Sequence, residues 1–155
     1  MLKFFADYID RLQQRHNDIL KALDGLPPAA LDWIPGSEMN SISVLVVHLT
    51  GAERYWIGDV AAQDPSNRDR DAEFRVRDLG MDILKKRLAD SLEYVHTALD
   101  KMNLQDLESM RIVPTDGDTC TVASALLHAL DHSTLHLGQI QLTRQLWEQR
   151  QNKES

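Results

Sequence analysis

Apolar residues recur at helical spacing in four separate stretches of the chain. Phe5, Ile9, Leu12, Ile19 and Leu23 share one face and predict a first helix from about Leu2 to Asp24. Gly25 stands where a left-handed residue would end it, and Pro27-Pro28 forbids its continuation. After the turn-rich LPPAALDWIPGSEMN, Asn40 or Ser41 can cap a second helix. Its inward positions are Ile42, Leu45, Leu49, Ala52 and Trp56, and it fades by Gln63. A third helix, from about Asp78 to Met102, carries the stripe Leu84, Leu88, Leu92, Val95, Leu99 and Met102, with Lys85, Lys86, Arg87 and Asp90 on its other side. The irregular RIVPTDGDT leads to a fourth helix, capped by Asp118 or Thr119 and reaching about Glu148. That helix has almost no charge over its first six turns and should be the most buried. No stretch reads as a strand. The fold expected is all-α, a four-helix bundle with non-adjacent crossover connections, formed by a single domain over 1–150 with a polar tail at 151–155.

Composition narrows the class. A chain of 155 residues, 43% hydrophobic and 26% charged, suits one soluble domain with one core. A net charge of −7 gives no basic footprint for nucleic acid or an anionic membrane. Arg68, Arg70, Arg75 and Arg77 are interleaved with Asp69, Asp71, Glu73 and Asp78, which reads as a solvated mixed-charge linker. The single cysteine, Cys120, excludes an internal disulfide framework. The N-terminus lacks a sustained apolar segment of the signal-peptide kind. The run Thr119 to Thr143 is too polar to span a bilayer. A cytoplasmic protein is expected.

The fourth helix then poses a chemical question. His128, His132 and His136 stand one turn apart along an otherwise uncharged face. Residues four apart can aim two ring nitrogens at one atom. Three in a row cannot, because the rise from 128 to 136 is roughly 12 Å at about 1.5 Å per residue and an ion sits only about 2 Å from each nitrogen. Either 128 with 132 or 132 with 136 can form a pair, and a third ligand must come from another helix. His48 is the candidate, flanked one turn away by Val44 and Ala52 on the inward side of the second helix. Thr121, Ala125, Ala129 and Gln139 share the face of His132 and His136 and leave space beside them. His128 can support or line the site, whereas His16 and His96, with polar neighbours, are expected at the surface. The pair Glu93 and His96 has the spacing of di-iron bundles. A second such pair is missing, and no acid lies between Asp131 and Glu148. No HExxH, phosphate loop or GxSxG elbow is present.

The runs HALDHSTLHLGQ and ISVLVVHLTGAERYW, with the preceding DWIPGSEMN, resemble the DinB/YfiT-like metalloprotein superfamily over essentially the whole chain. The resemblance implies metal ligands at His48, His132 and His136, which selects between the two pairings above. It also implies a divalent ion (zinc, nickel or iron) and a homodimer. Some relatives are transferases or isomerases that use bacillithiol, mycothiol or glutathione. Relatives often carry an arginine after the last histidine; Leu137 stands there instead.

Three imidazoles without a fourth protein ligand describe an open, catalytic kind of site. Such a site can turn a low-molecular-weight thiol into a nucleophile or acidify water for hydrolysis. Hydrolysis also calls for a base, for which Glu53 and His128 are the candidates. A thiol-dependent S-transferase is therefore the first expectation. A metal-dependent hydrolase and a non-catalytic, stress-related metal-binding bundle are the alternatives.

Overall fold

In a computed structural model, which describes residues 1–154, the four expected helices are present: α1 (Lys3–Leu23), α3 (Ile42–Glu53), α5 (Met81–Leu99) and α6 (Val122–Glu154). Two single-turn helices, α2 (Pro28–Leu31) and α4 (Arg70–Glu73), lie in the connections. Gly25 ends α1 in the left-handed region, at φ 72°. Pro28 then opens α2 at its first position, where its missing N–H costs nothing. The Ser41 hydroxyl accepts the Val44 N–H at 3.2 Å and starts α3. Beyond Glu53 the same rod continues as π-helix through Ala62, until Gln63 turns left-handed at φ 55°.

The loop before α6 departs from expectation. Met110–Ile112 (β1) and Thr119–Thr121 (β2) pair antiparallel, with Arg111 opposite Cys120. Strands of three residues are too short to show a period of two in sequence. Because Thr119 is paired in β2, capping passes to Thr121, whose Oγ1 accepts the Ser124 N–H at 3.1 Å. At its other end α6 continues past Glu148 to Glu154, since LWEQRQNKE contains neither glycine nor proline to stop it. Residues 151–154 of the expected tail are thus helical, and Ser155 lies outside the described residues.

The helices surround the core in the order α1, α6, α3, α5, so α1 and α3 face each other diagonally, as do α5 and α6. Cross-links give the directions. The Tyr8 hydroxyl donates to the Leu126 carbonyl, Arg15 to Thr134, and Arg144 to the carbonyls of Lys21, Ala22 and Asp24, so α1 and α6 run parallel. The last of these contacts also caps the C-terminal end of α1 with a cation.

Two apolar clusters fill the interior. One holds Phe5, Leu12, Ile57, Val95, Leu99 and Leu126. The other holds Ile19, Leu23, Leu45, Leu49, Leu88 and Ile140. Between them lies a polar layer with one side chain from each main helix: His16, Glu53, Ser91 and Ser133. The Glu53 carboxylate, fully buried, accepts His16 Nε2–H at 2.9 Å, Ser133 Oγ–H at 2.7 Å and Ser91 Oγ–H at 2.5 Å. His16, expected at the surface, is only 3% exposed. It occupies the same stripe as Leu12 and Ile19, and that spacing, rather than its polar chain neighbours, decides its place. His96 is exposed, as expected. Among the described residues no helix is long and apolar enough to cross a membrane.

Candidate metal centre

Below the polar layer, α3 and α6 bring His48, His132 and His136 together. One ring nitrogen from each lies within 4.8 Å of the others, and these three residues form the only such group among the described residues. The cluster depends on the pairing of α3 with α6, because His48 is remote in sequence from the other two. His128 stays outside it. Its exposed ring lies against Trp56 at 4.2 Å between centroids and stacks on His132 at 6.1 Å. Trp33 packs edge-on against Trp147 at 5.6 Å, so the tryptophans serve as local packing.

The outer nitrogens are specified. His48 Nδ1 lies 2.8 Å from Glu73 Oε2. Burial pushes the Glu73 carboxyl up, but hydrogen bonds from His48 and Arg68 outweigh it and hold the group below the usual carboxylate range. An ionised carboxylate can only accept, so His48 presents Nδ1–H to it, and Nε2 is the nitrogen left to face the cluster. His136 Nδ1 lies 2.6 Å from the Gln139 amide oxygen, which likewise assigns the proton to Nδ1. His136 Nε2 then faces His132 Nε2 at 3.1 Å. Burial, followed by the neighbouring His136, His48, His128 and Arg68, pushes His132 down to about 3, so its ring is neutral at physiological pH. Its Nδ1 is buried with no partner, leaving Nε2 as the nitrogen it can use.

In the metal-free chain one proton can bridge His132 Nε2 and His136 Nε2, whereas a cation among the three rings can take a lone pair from each. Neutral imidazoles are also the donor type that suits borderline divalent ions. The residues present therefore fit a divalent cation. Glu53 is not available as a base, because its two oxygens are saturated by His16, Ser91 and Ser133. A cavity of about 480 Å³ between α3 and α5, lined by Arg54, Arg68, Arg87 and Tyr94 among others, does not include the histidines.

The charged stretch around residue 70 is not the solvated linker expected. Arg68 donates to Glu73 through Nε at 2.6 Å and Nη2 at 2.7 Å, and Phe74 lays its ring 4.7 Å from that of His48. Sequence reading missed Glu73 and Arg68 as site residues. Their one local trace is an apolar phenylalanine inside a run of charges.

Titration predicts a two-sided pH profile for the metal-free protein. The folded chain keeps His132 neutral down to about 3, whereas the unfolded chain takes up that proton near 6.5, so this contribution is present above 6.5 and lost as pH falls towards 3. His16 acts in the opposite sense. Burial pushes it down, but the Glu53 carboxylate more than offsets that and raises it. Its contribution is complete below 6.5 and fades as pH rises through the folded value. Urea unfolding from about pH 4 to about pH 9 should show stability falling at both ends, with His16→Gln flattening the alkaline limb.

The profile of the DinB superfamily matches residues 11–140, and the chain belongs to that superfamily. No curated protein matches it in sequence. Solved structures share the fold. A conserved protein from Enterococcus faecalis superposes with a TM-score of 0.76 at 19% identity, covering 94% of this chain and 98% of that one. YfiT from Bacillus subtilis, described as a probable metal-dependent hydrolase with an unusual four-helix bundle topology, gives 0.70 at 16% identity over 92% and 87% of the two chains. A DinB-like protein from Bacillus cereus gives 0.62 at 16% identity over 88% and 87%.

Proposed function

We propose that His48, His132 and His136 hold one divalent cation (zinc, nickel or iron) and that the protein promotes transfer of a low-molecular-weight thiol to an electrophile. When bound, such an ion supplies Lewis acidity, which favours the thiolate form of a thiol at neutral pH. The chain's own residues set the conditions for that chemistry. Glu73 and Gln139 hold the two outer imidazoles with their lone pairs inward. The His132 ring stays neutral and free to donate electrons. Phe74 and Trp56 cover His48 and His128 with apolar surface.

One observation carries the choice of a thiol over water: both buried carboxylates nearby are committed. Glu53 is tied to His16, Ser91 and Ser133, and Glu73 to His48 and Arg68, so neither is free to deprotonate water. A thiol that ionises on its own near neutral pH needs no such base.

A metal-dependent hydrolase is the second reading. It draws support from the likeness to YfiT and from His128, an exposed imidazole whose ring lies 6.1 Å from that of His132. Zinc-, nickel- and iron-loaded protein should be incubated with glutathione or bacillithiol plus an activated aryl halide, and in parallel with an activated ester and no thiol. The thiol adduct should form faster than the uncatalysed rate, and His132→Ala should abolish the excess. Ester cleavage without thiol would favour the hydrolase, and inertness in both assays would leave a metal-binding bundle without catalysis.

A further inference from the structure

The connection between α3 and α5 places two consecutive side chains on one imidazole. Glu73 takes the Nδ1–H of His48, and Phe74 covers the ring. Each is held in turn. Arg68 grips both oxygens of Glu73, and the Arg70 guanidinium lies 5.0 Å over the Phe74 ring. Asp69 fixes the turn that carries them by accepting the Ala72 N–H at 3.0 Å. The Glu73 side chain, 8% exposed, reaches His48 by crossing the surface of α3 at Gly51. A methyl group at Gly51 would lie 2.1 Å from Glu73 Oε1, a distance no real contact allows. Helix α3 therefore carries a helix-weakening glycine at the one point where the carboxylate passes.

We propose that residues 68–74 form a latch that sets His48 for metal binding, with Glu73 as its positioning residue and Gly51 as the opening that admits it. The proposal rests on the metal reading of the three histidines. Glu73 is not a ligand, since among the described residues the group able to share one ion comprises the three imidazoles. It acts through His48, fixing the tautomer and the ring angle, and a carboxylate behind a ligating imidazole also strengthens it as a donor. Three side chains converge by this means although only two of them share a helix.

The test is titration of metal-free protein with Co²⁺, followed by its visible absorption, and with Zn²⁺ by competition. Glu73→Ala and Gly51→Ala should each weaken binding by about 10–100-fold, although Gly51→Ala removes no polar group. Glu73→Gln retains an acceptor for Nδ1–H but loses the charge that Arg68 holds, so its loss should be smaller than that of Glu73→Ala. Its Co²⁺ band positions should stay as in the wild type, because the three nitrogen donors remain. Gly138→Ala, at a helical glycine with open space around it, is the control and should bind normally. Far-UV circular dichroism of the metal-free variants identifies any that fail to fold, and Glu73→Gln then decides the matter. Binding within twofold of wild type in Glu73→Gln and in every folded variant, while His132→Ala loses its metal, would overturn the latch and leave the metal reading standing. No saturable Co²⁺ or Zn²⁺ binding by the wild type would overturn both.

Discussion

Glu53→Ala is expected to destabilise the protein by about 3–5 kcal/mol, the range for removing one partner of a buried ion pair. The loss comes from what would be left behind. His16 is 3% exposed and Ser133 is fully buried, and both give their donors to Glu53, as does Ser91. With the carboxylate gone, His16 and Ser91 lose their acceptor and Ser133 keeps only the Ala129 carbonyl, in a layer sealed by apolar clusters on either side. A domain of this size has a total stability of about 5–15 kcal/mol, so much of it would be lost. Urea denaturation measures the loss directly. Glu53→Gln keeps the volume and part of the hydrogen bonding and should cost less. A loss under about 1 kcal/mol in Glu53→Ala would mean that the layer is a bystander to folding. Ser133 is also the residue next to His132, so Glu53 fixes the height of the histidine pair on α6 relative to His48 on α3.

The second large effect concerns His132. Its Nε2 lies 3.1 Å from that of His136, and its ring centroid lies 5.0 Å from that of His48, which places it at the centre of the cluster. His132→Ala should weaken binding of Zn²⁺ or Co²⁺ by more than about 100-fold, beyond the loss of an outer hydrogen-bond partner. His128→Ala should bind nearly as the wild type does, because His128 lies outside the group whose ring nitrogens come within 4.8 Å of one another. Equal losses in the two variants would assign the site to the wrong pair.

Much of this was legible in the sequence, and the reason differs from one element to the next. The four main helices announce themselves because each must bury one stripe, and stripes at helical spacing survive in a single sequence. Ser41 and Gly25 mark their boundaries by local backbone chemistry. The pairing of His132 with His136 follows from one helical turn. The choice of this pair over His128 and His132 came from the family resemblance.

What escaped was non-local or too short to be periodic. Glu73 is 25 positions from His48 in a run of charges, and only the three-dimensional path over Gly51 shows what it touches. The β1–β2 hairpin gives three residues per strand. His16 was legible after all, since position 16 completes the stripe Phe5, Ile9, Leu12, Ile19. Its polar neighbours pointed the wrong way.

The proposed site and its chemistry both depend on one ion shared by two helices. Elemental analysis of untagged protein, purified without chelator and passed through a sizing column, tests this most directly. About one divalent ion per chain is predicted, with none retained once His48, His132 and His136 are all alanine. Wild-type protein that emerges metal-free and takes up no zinc, nickel, iron or cobalt when these are supplied would contradict it.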